Sequence, residues 1–251
     1  ESVIEAAAIW IADGRIVFAG PGDQLPPTPA DTKVSDLDGR FVMPGMTETH
    51  AHLSFADASP FAIGQTSVEQ ATITAVNNAR LMLQSGFTSA VSFGSTYCID
   101  VALRDAINQG QIVGPRLLAA GRDLGATASN IDSGGGLSQI ADGPWELRKA
   151  VREQRKLRVD VVKIFIDGEA INPINPPGEL CFTDQEVEAI VDEAHRRQLK
   201  VACHARSATA VKQAVRAGVD YVGHANYLDD EAVELLAAHK DELFVGPAIA
   251  W

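Results

Sequence analysis

From about residue 46 onward, short apolar runs alternate with longer amphipathic stretches, and few folds accept that pattern. The apolar runs fall at 88–93, 116–120, 160–166, 199–203, 219–223 and 243–247. Each reads as a strand with both faces covered, because it lacks the polar alternation of a half-exposed strand. Between them, 68–84, 98–109, 144–157, 183–197, 208–217 and 230–239 carry apolar residues at helical spacing. Thr183-Asp184-Gln185-Glu186 is a capping-box pattern that starts one of these helices. Gly86, Gly110 and Gly218 suit helix ends. Strand–helix alternation implies a parallel sheet. With a first strand at 41–49 the count reaches seven strands and six helices. The fold class is therefore α/β, a (β/α)8 TIM-type barrel read as truncated before strand eight.

Residues 1–45 follow another rule. Asp13-Gly14 sits between two aliphatic runs, predicting a hairpin of 8–12 with 15–19. A Pro-rich loop follows at 21–31, and Asp38-Gly39 suggests a second hairpin of 33–37 with 40–42. We read 1–45 as a small N-terminal β-structure, part of a β-sandwich, and 46–251 as the barrel domain lacking its C-terminal part.

The chain of 251 residues is 46% apolar, enough for one large core. Its net charge of −12 argues against nucleic acid, which demands a basic footprint. The three cysteines, Cys98, Cys181 and Cys203, form no CxxC and predict no disulfide framework. No apolar run is long enough for a membrane span, and no signal peptide is visible. The expectation is a cytoplasmic homo-oligomer acting on a small molecule, with no nucleic-acid or membrane partner.

Thr49-His50-Ala51-His52 closes the first strand. Residues i and i+2 of a strand share a face, so His50 and His52 can chelate one ion. Two unrelated histidines would give the same pattern. Lys163 lies between Val162 and Ile164 in a strand that reads as buried, where an unpaired charge is costly. It either reaches solvent, pairs with Asp167 or Glu169, or is a desolvated amine able to form a carbamate with carbon dioxide. His204 and His224 follow the fifth and sixth apolar runs, where barrel enzymes build their sites. Four of the six histidines thus fall at strand ends; His195 and His239 lie in helices and read as surface residues.

These residues resemble the amidohydrolase superfamily, in its binuclear carboxylated-lysine branch, with imidazolonepropionase-like and Xaa-Pro dipeptidase-like members. The resemblance runs through the strand-one segment from Val42 to Leu53, Gly86-Phe87-Thr88-Ser89, Gly114-Pro115-Arg116, Val162-Lys163-Ile164, Ala202-Cys203-His204 and Val222-Gly223-His224. It implies two divalent ions, zinc first among the candidates. His50 and His52 would hold one ion and His204 and His224 the other, with a carboxylated Lys163 bridging both. A hydroxide between the ions would attack an amide-type C–N bond of a peptide-like or N-acyl amino acid substrate, and His224 would border it as a catalytic residue. Arg206 and Tyr227 are candidate substrate contacts; a rim salt bridge and loop packing are their alternatives. The Pro-rich stretch 172–179 reads as a loop over the strand-four end, and 134–136 as a glycine loop. The stretch 126–132 lacks the histidine that many relatives carry. The family's strand-eight aspartate, its general base, has no counterpart here. Hydrolysis of a cyclic amide, aryl urea or carbamate is an alternative, as is a non-catalytic metal-binding barrel.

Overall fold

The computed structural model describes residues 3–56, 63, 65–132, 136–169 and 175–247. It divides into two compact units, Glu1–Pro44 and Gly45–Trp251. In the first, β1 (Ala7–Ala12) pairs antiparallel with β2 (Arg15–Pro21). Asp13 and Gly14 both take positive φ, the turn geometry that matches strand twist. The second hairpin expected at 33–42 does not form. Asp38 and Gly39 make a left-handed turn, closed by the Arg40 N–H donating to the Leu37 carbonyl, but no ladder flanks it. Val34, Phe41 and Val42 are exposed there, so no apolar face drives pairing.

The second unit carries the strand–helix alternation. Its helices are α1 (Val68–Gln84), α2 (Ile99–Asn108), α3 (Gly143–Lys156), α4 (Asp184–His195), α5 (Ala208–Ala217) and α6 (Asp230–Ala238). The strands β3 (Met46–Ala51), β4 (Phe87–Ser92) and β5 (Arg116–Leu118) form one parallel sheet. Strands β6 (Asp123–Gly125), β7 (Ser138–Ile140), β8 (Val161–Phe165), β9 (Lys200–Ser207), β10 (Tyr221–Tyr227) and β11 (Phe244–Pro247) form another, in the order β11-β10-β9-β8-β6-β7. Just beyond β5, the Ala119 carbonyl accepts from the N–H groups of Asp160 and Val161, so β8 follows β5 around the arc. Among the described residues no ladder joins β11 to β3. The chain thus has the parallel α/β arrangement of a TIM-like barrel.

Two short strands, β6 and β7, were not expected; three residues are too few to show a periodicity. The first barrel strand starts at Met46 rather than residue 41, because Pro44 cannot donate to a ladder. Strand β9 runs on to Ser207, which puts His204 and Arg206 inside the strand instead of after it. Of the glycine loop at 134–136 only Gly136 is among the described residues, and of the Pro-rich loop at 172–179 only 175–179.

Strand β8 explains why period two and full burial coexist. All five of its residues are buried. Val162 and Ile164 join the main core with Leu147 of α3 and Val187 and Ile190 of α4. Val161 instead packs with Phe93, Ala120 and Ala202 on the other face. Lys163 shares that inner face by parity. Each large aliphatic side chain so buried stabilises the fold by about 1.5–3 kcal/mol.

Helices α3 and α4 are also joined by charge. Glu193 has a side chain only 5% exposed and accepts from Arg152 at 2.9 Å and, within its own helix end, from Arg197 at 2.7 Å. The Arg152 hydrogen bond, helped by Arg197 and opposed by desolvation, holds its carboxyl down at about 2. A depressed carboxyl contributes stability above its unfolded value of 4.5, which fades as pH falls toward the folded value. Glu193→Gln should therefore cost about 1–2 kcal/mol near neutral pH, modest because the arginines are solvent-screened. Urea unfolding should show that gap narrowing as pH falls below 4.5; a gap independent of pH would contradict the assignment.

Candidate metal centre

Each site residue reaches the centre through a local peculiarity of its strand. In β3 the ladder with β4 slips between Glu48 and Ala51, an added residue that bulges the strand around His50. The His50 N–H, freed from the ladder, donates to the Glu48 carboxylate at 2.9 Å. His52 follows the strand, and its Nδ1 donates to the Gly94 carbonyl at 3.1 Å, leaving Nε2 as the lone-pair nitrogen. In β10 the ladder with β9 slips between His224 and Tyr227, and His224 and Ala225 both take left-handed φ, 76° and 49°. Such non-glycine conformations are costly and concentrate where a side chain must be re-aimed. Gly223 precedes them for a steric reason. A Cβ there would stand 2.9 Å from the Phe93 ring and 3.1 Å from the His50 ring.

The four imidazoles converge. Ring centres lie 5.3 Å apart for His50 and His52, 4.6 Å for His50 and His224, and 4.4 Å for His204 and His224. Aromatic rings hold three of them from behind: Phe93 stacks on His50, Phe55 on His52 and Phe165 on His204. Burial pushes all four imidazoles far toward the neutral form, with Lys163 adding repulsion in every case. His52 falls to about 3 and His224 to about 2. Neutral imidazole is the form that ligates metal.

Lys163 is 1% exposed, so it does not reach solvent. Its Nζ lies 5.2 Å from the centres of both Phe93 and Phe165, between the rings that back His50 and His204. Its acidic neighbour is neither Asp167 nor Glu169 but Asp123, at 3.8 Å, too long for a hydrogen bond. Burial raises the Asp123 carboxyl to about 6, against the pull of Lys163 and with help from Asp100. Gly94, at φ +122°, is required where the chain passes this carboxylate, because any Cβ would collide with it.

Asp167 does structural work. It accepts from the backbone N–H groups of Arg206, Ser207 and Gly178, pinning β9 to the loop beyond β8. Glu169 faces inward. Its Oε1 lies 3.4 Å from His204 Nδ1 and accepts from Arg206 Nη2 at 2.9 Å, while Oε2 stands in ion-pair contact with Arg206 Nε at 2.7 Å. Arg206 is 2% exposed and also donates from Nη1 to Asn226 at 2.6 Å. Its fork is thus engaged by protein groups. Tyr227, at the end of β10, is 54% exposed at the rim. His195 and His239 pair with Asp220 and Glu242 away from the centre, as surface residues.

A cation suits this donor set. His224 Nδ1 is buried without a hydrogen-bond partner, as is Asp123 Oδ1. Glu169, His204 and His224 each offer a ligand atom within 4.8 Å of the others. Imidazole and carboxylate donors of this kind hold zinc and similar ions. Sequence reasoning missed Asp123, Phe93, Phe55 and Phe165 and gave Glu169 no role at the metal. Phe165 was findable, standing two residues from Lys163 on the same strand face.

Known proteins share this arrangement of chain. Ochratoxinase of Aspergillus niger is 30% identical over 258 residues, covering 92% of this chain and 52% of its own. Imidazolonepropionase of Symbiobacterium thermophilum is 29% identical over 76% of this chain and 42% of its own. The structure of a prolidase complexed with N-methylphosphonate-L-proline superposes with a TM-score of 0.87 at 28% identity, covering 96% of this chain and 61% of that one. The chain spans about half the length of the curated relatives it matches. Residues 41–240 match the amidohydrolase family, and with them run β3 through α6 and every histidine of the cluster: the chain belongs to that family.

Proposed function

We propose that the chain carries the larger part of a metal-dependent hydrolase that cleaves an amide-type C–N bond in a small peptide-like or N-acyl amino acid substrate. The observation that carries it is the convergence of four imidazoles and Lys163, on or just beyond strands β3, β8, β9 and β10, on one place. His50 and His52 would hold one divalent ion, and His204 and His224 a second, with zinc the first candidate. Such a pair supplies a water of lowered pKa and polarises the scissile carbonyl. Lys163 would bridge the ions as a carbamate, formed when its amine adds to carbon dioxide and one proton is released. The aromatic rings behind the imidazoles keep the ligands oriented and the site dry. His224 would border the reacting carbonyl, and the exposed Tyr227 hydroxyl would meet the substrate at the rim. Likeness to ochratoxinase and to a prolidase complexed with a proline phosphonate supports a substrate with an acylated amino nitrogen.

Exhaustive chelation should abolish hydrolysis of N-acyl amino acids and Xaa-Pro dipeptides by the intact protein, and added zinc should restore it. Turnover that persists after metal loss is verified by elemental analysis overturns the reading.

A further inference from the structure

We propose that Glu169 is a further carboxylate ligand of the cation held by His204 and His224, and that Arg206 is the residue that positions it. The inference rests on the metal-centre reading above and deepens it. His204 Nε2 faces the Gly168 carbonyl at 3.3 Å, and a carbonyl only accepts, so Nε2 carries the hydrogen. In the neutral ring that metal binding requires, Nδ1 is then a bare lone pair. That lone pair stands 3.4 Å from Glu169 Oε1, which is also an acceptor. Two acceptors held this close repel unless a cation lies between them.

A third acceptor completes the group. His224 offers a ring nitrogen that lies with a ligand atom of each of the other two residues inside a span of 4.8 Å, and its Nδ1 is buried without a hydrogen-bond partner. Two imidazoles and one carboxylate are a common catalytic zinc donor set. Arg206 leaves this possible, because a carboxylate has about four lone-pair sites and the arginine fork uses only part of them. The pairing also answers a charge problem. Arg206 is buried beside the proposed cation, and its repulsion of that ion is offset by the Glu169 carboxylate between them. Asn226 holds the far side of the guanidinium, so Glu169 is presented by a side chain that cannot swing away. Glu169 sits directly past β8, in the same stretch of chain as Lys163.

The test is cobalt(II) binding to the intact, metal-free protein, followed by calorimetry and visible absorption, with Glu169→Gln, Glu169→Asp, Arg206→Lys and His50→Asn beside wild type. Wild type should bind about two ions per chain. Glu169→Gln should keep one tight site and weaken the other by about 10–100-fold or more, with a changed cobalt spectrum. Glu169→Asp, one methylene shorter, should show the same loss in milder form, and it carries the test if the glutamine variant does not fold. Arg206→Lys keeps the charge without the fork and should shift the spectrum of that same site. His50→Asn should weaken the other site instead. Glutamine and aspartate variants with wild-type affinities and spectra at both sites overturn the role of Glu169 while leaving the metal centre intact. A wild-type protein that binds no cobalt overturns both.

Discussion

Lys163→Met should lower turnover by about a thousandfold or more while the chain stays folded. The loss follows from the bridging role: ion-pair electrostatics contribute several kcal/mol to such a reaction, and each 1.36 kcal/mol is tenfold in rate. Methionine fills much of the same space between Phe93 and Phe165 and needs no partner there. In the metal-free chain, where the amine is not carboxylated, it leaves behind Asp123, a buried carboxyl whose sole cationic neighbour among the described groups was Lys163. Breaking a buried pair from one side costs about 3–5 kcal/mol, and the long 3.8 Å separation places this one at or below the low end. The double variant Lys163→Met/Asp123→Asn removes the stranded charge and should recover most of that stability. It should recover none of the activity. Chemical denaturation and steady-state kinetics on the four members of the cycle separate the two effects. A Lys163→Met protein within tenfold of wild-type turnover ends the case for a lysine bridge.

Arg206→Met should destabilise the fold by about 2–4 kcal/mol. Its guanidinium is fully enclosed and satisfies Glu169 and Asn226 together, so methionine strands a carboxylate beside a buried histidine. Partial exposure of Glu169 keeps the cost below the extreme. The same residue decides between two roles. An arginine that clamps a substrate carboxylate would, as Arg206→Lys, raise KM for free-acid substrates and leave their amide-capped forms unchanged. An arginine that positions Glu169 would lower kcat for both forms alike. The engaged fork favours the second outcome, because a substrate would first have to displace Glu169. A KM effect confined to free acids would restore Arg206 to the substrate.

The strands and helices were legible because burial on both faces writes long apolar runs and one-sided burial writes helical stripes. The bounds of α1 and α5 follow those stripes to the residue. The N-terminal turn at Asp38-Gly39 was equally legible, yet no ladder grew from it, since turn chemistry permits pairing without supplying an apolar face to drive it. The same limit applies to Arg206. Two residues past His204 on one strand, it shares that face by parity, but whether a buried arginine meets substrate or protein depends on what the next loop brings.

The order of residues along the chain determined the parallel α/β class, the histidines on or beside strands and the buried lysine, because each depends on local spacing and on the cost of burying charge. Only the tertiary structure decided the partners: Asp123 beside Lys163, Glu169 between His204 and Arg206, and the bulges that turn His50 and His224 inward. Those pairings join strands and loops far apart in sequence, and no local pattern records which two distant charges a fold will force into the same dry space.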